Sequence, residues 1–305
     1  MRLIRKSRLI TVTVIVIAAI IVIYVGLSIG GARKAMEILR LPVQGTPASV
    51  GLDYRDVSFQ SRDDNITLRG WHIPGQGNAV IIIVHGGFQN RIDENVDTLG
   101  LTRELVGKGY NVLLFDLRGR GESDGKGLAL SNIEKDIGGA VDFVKGEGYA
   151  SEKIYILGFC SGAAASCIFA SQNSAGALIL DGCFIDVPTM VRRQAVSFGI
   201  PEFLAIPFLP GVLLATRIIY DYDMVNPIDV VGDVTCPIFF IHEEHDEYVT
   251  LEETRRLLAA SGNPANELWE ISGAEHSQSY RTNSREYIKR VDNFLSTKAG
   301  GMSME

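Results

Sequence analysis

The chain has 305 residues, of which 46% are hydrophobic, and its formal net charge is −7. This length accommodates one large α/β domain or two small ones, and the apolar content is ample for a buried core. The negative charge and the lack of basic blocks argue against a surface that binds nucleic acid.

The first segment differs in kind from the rest of the chain. Four basic residues among the first eight precede an uncharged stretch, residues 9–32, in which Ile and Val dominate. A stretch of this length spans a bilayer core as a helix, and no small-x-small cleavage site follows it. We interpret residues 1–34 as an uncleaved signal anchor, with a cleaved signal peptide as the alternative. The positive-inside rule then predicts a single-pass membrane protein with the rest of the chain extracytoplasmic.

Residues 35–52 are rich in Pro and Gly and are predicted to be a linker to one domain at 53–298. Two alternating segments, 55–60 and 66–73, predict an antiparallel hairpin, and short apolar strands then alternate with helices. The predicted strands are 79–84, 111–115, 153–157, 177–180, 237–241 and 267–271, and the predicted helices are 93–108, 131–147, 162–172, 250–261 and 281–296. This alternation predicts an α/β fold with a mostly parallel sheet, whose ligands bind beyond the carboxyl ends of the strands.

The segment at about 184–235 interrupts this alternation. It is apolar, carries prolines at 201, 207 and 210, and shows no clear strand. We predict short helices at angles to one another, which form a small cap over the sheet edge and shape an apolar pocket. A second flank of the hydrophobic core and a surface that contacts the membrane are the alternatives. The tail at 299–305 is predicted to be disordered.

Residues 153–163 read Lys-Ile-Tyr-Ile-Leu-Gly-Phe-Cys-Ser-Gly-Ala. A β-rich run that breaks into Gly-x-Cys-x-Gly before small helix formers is the layout of a nucleophile elbow. Gly158 and Gly162 allow a tight turn that presents Cys160 at a helix N-terminus, where we expect the thiol to ionise more readily than a free one. Ser161 is the weaker nucleophile candidate because that register lacks both flanking glycines. A buried, inert Cys160 is the alternative.

A candidate base and its orienting acid follow two later strands. His276 lies in the loop after the strand 267–271 and is the candidate base. Asp246, in the turn after the strand 237–241, would hold the imidazole in the required tautomer, and Asp181 is the rival acid. The chain order nucleophile, acid, histidine favours Asp246, because it is the order of the hydrolase elbow enzymes.

A glycine pair ends the first strand of the parallel part of the sheet. The backbone amide of Gly87, together with that of Ser161, is the candidate oxyanion hole. The charged loop 116–123 is interpreted as structural. A metal site at His242, His245 and Asp246 is disfavoured because these residues crowd one turn without a distant ligand, so neither metal nor cofactor is expected.

The remaining cysteines show no metal-type spacing. We expect four free thiols in total, of which Cys167, Cys183 and Cys236 are plain core residues. A disulfide between two of them is the alternative for an exported domain.

These motifs together resemble the α/β-hydrolase superfamily over about residues 54–294. The segments that carry the resemblance are His85-Gly-Gly, Asp116-Leu-Arg-Gly-Arg-Gly, Gly158-Phe-Cys-Ser-Gly162, Asp246-Glu-Tyr-Val and Glu275-His276-Ser, in that order. They are most similar to membrane-anchored bacterial hydrolases of the serine-aminopeptidase and prolyl-oligopeptidase-like groups. The resemblance implies an eight-stranded sheet with helices on both faces, a cap after the sixth strand and a Ser-Asp-His triad. Cys160 departs from that triad, in a Gly-x-Cys-x-Gly motif similar to that of dienelactone hydrolase.

The predicted function is a membrane-anchored hydrolase of small ester-like acyl substrates: esters, lactones or thioesters. Cys160 would form a thioester, His276 would act as base and then acid, and Asp246 would orient the imidazole. Amides are doubtful substrates, because their poor leaving group must be protonated in step with attack. A catalytically silent binding or sensing module and an acyltransferase are the alternatives.

Overall fold

The computed structural model describes residues 2–128, 132–222 and 224–299. Within them a single sheet of eight strands forms, in the order β1-β2-β4-β3-β5-β6-β7-β8. The strands are β1 (Arg55–Gln60), β2 (Thr67–Ile73), β3 (Val80–Val84), β4 (Asn111–Phe115), β5 (Ile154–Phe159), β6 (Ala177–Asp181), β7 (Ile238–His245) and β8 (Glu267–Glu275). Only β2 runs against the other seven, because it pairs antiparallel with both β1 and β4. The predicted strands and the mostly parallel sheet are therefore confirmed, within a few residues at each end.

The helices lie between the strands, as the alternation predicts. They are α1 (Arg2–Met36), α2 (Thr98–Gly107), α3 (Ile133–Gly146), α4 (Ser161–Gln172), α5 (Val187–Ser197), α6 (Glu202–Tyr220), α7 (Pro227–Val230), α8 (Leu251–Ser261), α9 (Ser279–Thr282) and α10 (Ser284–Phe294). Short 3₁₀ turns occur at Pro47–Val50, Ser151–Lys153 and Val231–Asp233, and a π-helical turn spans Leu295–Ala299. Ala299, the first residue of the predicted disordered tail 299–305, ends this π-helical turn, whereas residues 300–305 and the predicted helix start at 131 lie outside the described residues.

The central strands are buried on both faces. Every residue of β3, β4, β5 and β6 is buried, which explains their continuous apolar runs. At the outer strand β1 burial alternates with exposure, because only one face of this strand meets the core. The ring of Phe294 on α10 stacks on Phe239 of β7 at a centroid distance of 5.2 Å, one of the contacts that fix helices to the sheet.

One predicted helix begins later than expected. Residues 93–97 were expected to be helical, but α2 starts at Thr98 with Asp97 as its N-cap, and the Asp97 side chain accepts from the Gly100 amide. The Asp93 carboxylate accepts from the Asn95 amide at 2.9 Å, a local turn that competes with the helix.

The apolar segment 184–235 also differs from its prediction. It holds the short α5 and α7 and a 3₁₀ turn, as expected, but α6 is one helix of 19 residues that continues through Pro207 and Pro210. Each proline removes one backbone donor, so two intrahelical hydrogen bonds of α6 are missing.

The chain divides into two compact units. The first consists of Met1–Glu37 and Val191–Met224, and the second of Ile38–Met190 and Val225–Glu305. Within the second unit, Arg40 of the predicted linker donates to the carbonyls of Gly121, Ser123 and Gly125 at 2.8–3.3 Å. The sheet, the elbow and every candidate site residue belong to this second unit.

The fold predicts that alanine is destabilising at one helix glycine and nearly neutral at another. A Cβ on Gly162 would lie 2.6 Å from the His85 carbonyl oxygen, whereas a Cβ on Gly107 has no atom within 4 Å. Gly162→Ala should therefore lower the free energy of unfolding by roughly 1–3 kcal/mol, as overpacking does. Gly107→Ala should change it by less than about 0.5 kcal/mol. Urea unfolding of both variants in detergent measures this, and equal stabilities would contradict the close approach of α4 to the sheet.

Candidate active site

Cys160 occupies the turn between β5 and α4 in an uncommon backbone conformation. Its φ of 53° and ψ of −118° lie outside the regions that residues with a Cβ normally adopt. Its amide donates to the Asp181 carbonyl at 2.9 Å, which ties the turn to the end of β6. The residue is half-buried. This is the geometry of a nucleophile elbow, which lifts one side chain above the carboxyl end of a strand.

His276 and Asp246 meet as the sequence predicted. The Nδ1 atom of His276 lies 2.7 Å from Oδ2 of Asp246, whose side chain is fully buried. The other carboxylate oxygen, Oδ1, accepts from the amides of Tyr248 at 2.7 Å and Val249 at 2.9 Å. The carboxylate is therefore held by its own loop and can fix the imidazole with Nδ1 protonated.

Cys160 lies close enough to His276 to affect its protonation. Burial of the imidazole lowers its pKa, but the negative charge of the Cys160 thiolate and the hydrogen bond with Asp246 outweigh burial, so the pKa of His276 lies well above its ordinary value. The other ring nitrogen, Nε2, is buried and has no fixed hydrogen-bond partner among the described residues. The arrangement favours the imidazolium form of His276.

The loop that follows β3 lies next to Cys160 and is held in place by hydrogen bonds of His85. His85 accepts from the Leu117 amide at Nε2, 3.1 Å away, so its Nδ1 carries the proton and donates to the Gly86 carbonyl at 2.7 Å. Burial above all lowers the pKa of His85 to about 3, which keeps this ring neutral. A Cβ on Gly86 would lie 3.6 Å from Cβ of Cys160, so the loop approaches the thiol closely.

The two candidate oxyanion donors are the backbone amide of Ser161, which follows Cys160 in the chain, and that of Gly87, in the loop after β3. Neither the Gly87 amide nor the Ser161 amide donates to a protein acceptor within the described part of the chain. The Gly86 carbonyl, which shares a peptide group with the Gly87 amide, is held by His85, and the Gly87 carbonyl in the next peptide group accepts from Nε of the buried Arg120 at 3.0 Å. The remaining donors of Arg120 bond to the carbonyls of Arg118 and Leu128, so the charged loop 116–123 supports the site through backbone contacts.

The rival acid Asp181 does not hydrogen-bond to His276. It is fully buried and accepts from the hydroxyls of Ser279 and Tyr287, each at 3.0 Å. Its partner is Glu243, also fully buried, whose Oε1 accepts from the Ser277 amide at 2.8 Å. Sequence reasoning missed this pair, because nothing in the pattern distinguishes Glu243 from the exposed glutamates beside it.

The electrostatics favour one proton held by the pair Glu243 and Asp181. Burial raises the pKa of the Glu243 carboxyl well above its ordinary value, and the nearby Asp181 charge raises it further. Burial also raises the pKa of Asp181, while a hydrogen bond with Glu243 acts in the opposite direction. Glu243 is therefore the member of the pair whose neutral form is favoured.

The other cysteines differ from Cys160 in burial. Cys167, Cys183 and Cys236 are buried, and none of the four is disulfide-bonded. Burial raises the pKa of Cys167 and of Cys236 to about 12, so these thiols stay protonated at neutral pH. Their environment is that of inert core residues.

One group of side chains has the composition of a metal site. Donor atoms of Glu243, Asp246 and His276 all lie within 4.8 Å of one another. Oxygens of both acids already accept backbone amide hydrogens, and Nδ1 of His276 is paired with Asp246. The set is therefore committed to protein contacts. The combination of His242, His245 and Asp246 considered from sequence does not form such a group among the described residues.

Comparison with known proteins agrees with this fold. Residues 75–212 match the family described as serine aminopeptidase, S33. An esterase of Pyrococcus furiosus superimposes with a TM-score of 0.73 at 25% identity, over 87% of this chain and 99% of its own. The uncharacterised protein YqkD of Bacillus subtilis is 28% identical over 236 residues, 75% of each chain. The mouse lysophosphatidylserine lipase ABHD12 is 24% identical over 69% of this chain and 57% of its own length.

The fold is therefore that of the α/β-hydrolases, as the motif resemblance implied. Its similarity extends to a family of peptidases and to enzymes named as an esterase and a lipase, which supports a hydrolase of this fold.

The shared proton predicts a pH dependence of stability. The folded pKa of Glu243 lies above the ordinary value of about 4.3, so between these values the folded state binds more protons than the unfolded state, and stability falls as pH rises. Glu243→Gln keeps a donor toward Asp181 without titrating. Its free energy of unfolding should fall less than that of the wild type between about pH 5 and pH 8, because this proton no longer contributes.

Urea unfolding across this pH range provides the measurement, and Glu247→Gln, the same change at an exposed position, is the control. The control should follow the wild type, since Glu243 is unchanged in both. Parallel curves for Glu243→Gln and the wild type would show that Glu243 holds no extra proton.

Proposed function

We propose that this protein is a membrane-anchored hydrolase of ester-like acyl substrates with a Cys160-His276-Asp246 triad. The observation that carries the proposal is the strained Cys160 at the elbow, close enough to raise the pKa of an imidazole whose other side is bonded to a buried carboxylate. A nucleophile, a base and an acid that orients the base are the minimum for covalent acyl transfer.

The reaction has two steps. The Cys160 thiolate attacks the substrate carbonyl carbon, and the amides of Gly87 and Ser161 bind the resulting oxyanion. The C–O bond of the ester breaks, Nε2–H of His276 gives its proton to the leaving alkoxide, and an acyl thioester remains. Neutral His276 then takes a proton from water as the water attacks the thioester, and the acid product leaves while the thiolate–imidazolium pair re-forms.

The substrate class follows from the nucleophile. A thiolate is a better leaving group than an amine, so the tetrahedral intermediate from an amide returns to substrate unless nitrogen is protonated. Esters, lactones and thioesters lack this difficulty. Similarity to an esterase and to a lysophosphatidylserine lipase supports an ester as the substrate. Similarity to a peptidase family makes amides the alternative substrate class, which the experiments should include.

Membrane attachment is the second part of the proposal. The segment Arg8–Met36 of α1 is long and apolar enough to cross a membrane, with a mean hydropathy of 2.9, and its window is not buried in the protein. Such a helix exposes its apolar side chains to lipid at little cost. We propose that it is an uncleaved anchor with the catalytic domain on the extracytoplasmic side.

The triad is tested with the full chain in detergent and p-nitrophenyl esters of increasing acyl length. Cys160→Ala should reduce hydrolysis to the uncatalysed background, and Asp246→Asn should lower kcat by roughly 10²–10⁴-fold because the histidine tautomer is lost. His245→Ala, an exposed histidine next to the acid, is the matched control and should retain activity. Full activity of the alanine variant at Cys160 would end the assignment.

Alkylation tests the thiol independently of any substrate. Iodoacetamide at mildly acidic pH should label Cys160 in the wild type, because its thiolate is paired with His276. His276→Gln should slow the labelling at least tenfold, and Cys160→Ser should abolish it. A thiol that labels only at alkaline pH in both proteins would favour the catalytically silent binding module.

A further inference from the structure

The helices α1 and α6 of the first unit pack side by side. The Tyr24 hydroxyl donates to the Pro207 carbonyl at 3.2 Å, and the Tyr24 ring stacks on Phe208 at a centroid distance of 5.2 Å. Further along, a Cβ on Gly31 would lie 2.9 Å from Val212. Residue numbers rise together along both helices, so α6 runs parallel to α1.

Small residues allow the two backbones to approach closely. A Cβ on Gly211 would lie less than 3.0 Å from the Ser28 side chain, and the Gly31 contact is equally tight. Close approach through Gly and Ser is the packing that helices use within membranes, where apolar burial gives little driving force. The contact between α1 and α6 is therefore of the kind that helices make within a membrane.

A cluster of large apolar side chains is exposed at the start of α6, and we call it the cap tip. Its members are Val196, Phe198, Ile200, Phe203, Leu204 and Ile206, with 42–72% of each exposed. An exposed patch of this kind marks an interaction surface. The charges nearest to it are partly neutralised, because Arg192 is paired with Glu202.

The parallel packing decides where the cap tip lies along α1. The tip precedes Pro207, so it lies further toward the N-terminus of α1 than Tyr24 does. Phe203 is four residues before Pro207, about 6 Å along a helix axis. This direction leads into the uncharged stretch 9–32, the part of α1 that is proposed to cross the bilayer.

The helix α6 is itself long and apolar enough to cross a membrane, but the sheet excludes a single crossing. The segment that contains α6 leaves β6 and returns to β7, which are paired neighbours in the same sheet. Both ends of the segment therefore lie on the same side of a membrane, and the segment must enter and leave by one face.

We propose that the cap tip inserts among the acyl chains of the leaflet next to the sheet domain, while α6 remains packed on α1. The occupant of this apolar surface is lipid. The inference rests on the anchoring role proposed for α1. The protein is then attached to the membrane at two places: by the N-terminal helix, and by a cap tip that enters one leaflet without crossing it. The cap then holds the enzyme at the membrane surface.

Quenching by brominated lipid tests the depth of single tryptophans. Phe203 and Ile218 lie near opposite ends of α6 and are each 72% exposed, which makes Phe203→Trp and Ile218→Trp a matched pair. Val16→Trp reports on the anchor. The full chain carrying each variant is placed in phosphatidylcholine vesicles with and without bromine on the acyl chains. The native Trp71 and Trp269 are buried and give a constant background.

We expect strong quenching at positions 16 and 203, and at least twofold weaker quenching at 218, where aqueous iodide should quench instead. Phe198→Trp, a second substitution in the cap tip, should behave as Phe203→Trp does. Absence of quenching at 16 would overturn the anchor and with it the inference. Quenching at 16 but not at 203 and 198 would overturn the insertion alone, and tip tryptophans shielded from both quenchers would indicate a protein partner.

Discussion

The strained turn at Cys160 is the constraint on which the site depends. A residue with a Cβ adopts a φ of 53° only when the surrounding structure enforces it. At Cys160 two contacts enforce this conformation. The Cys160 amide is bonded to the Asp181 carbonyl, and Gly162 brings the first turn of α4 against the end of β3. The end of the parallel sheet therefore maintains the strained backbone conformation of Cys160.

The sequence indicated most of this arrangement, because each part depends on local chemistry. Buried parallel strands are continuous apolar runs, so β3 to β8 were recognisable, and their carboxyl ends lie at one edge of the sheet. The spacing of glycines around Cys160 identified the turn, and the chain order of acid and histidine identified Asp246 and His276. The proximity of these residues then follows from strand direction alone.

Other features depend on packing that a linear pattern does not contain. The carboxyl pair arises because Asp181 lies opposite Ile241 in the register of β6 and β7, which brings Glu243 to the same edge two residues later. Side-chain burial there is decided by Ser279 and Tyr287 from the end of the chain. For the same reason the sequence left Asp181 open as the triad acid. Its carboxylate accepts from two hydroxyls, whereas the Asp246 carboxylate, among the described residues, is hydrogen-bonded to the imidazole.

The proline-containing α6 shows how a neighbour can override local preference. Prolines at 207 and 210 predict that a helix exposed to water would break at these positions, because each proline leaves a carbonyl without its intrahelical donor. In this chain the helix continues, although the carbonyls of Phe203 and Ile206 lose their intrahelical donors, and the Tyr24 hydroxyl of α1 donates to the neighbouring Pro207 carbonyl. Prolines are tolerated in membrane helices more readily than in water, because adjacent helices pack against the disturbed turn and can supply donors. The sequence of α6 is therefore better explained by its partner α1 than by a role as a water-exposed helix, and the two segments form one structural element although about 165 residues separate them in the chain.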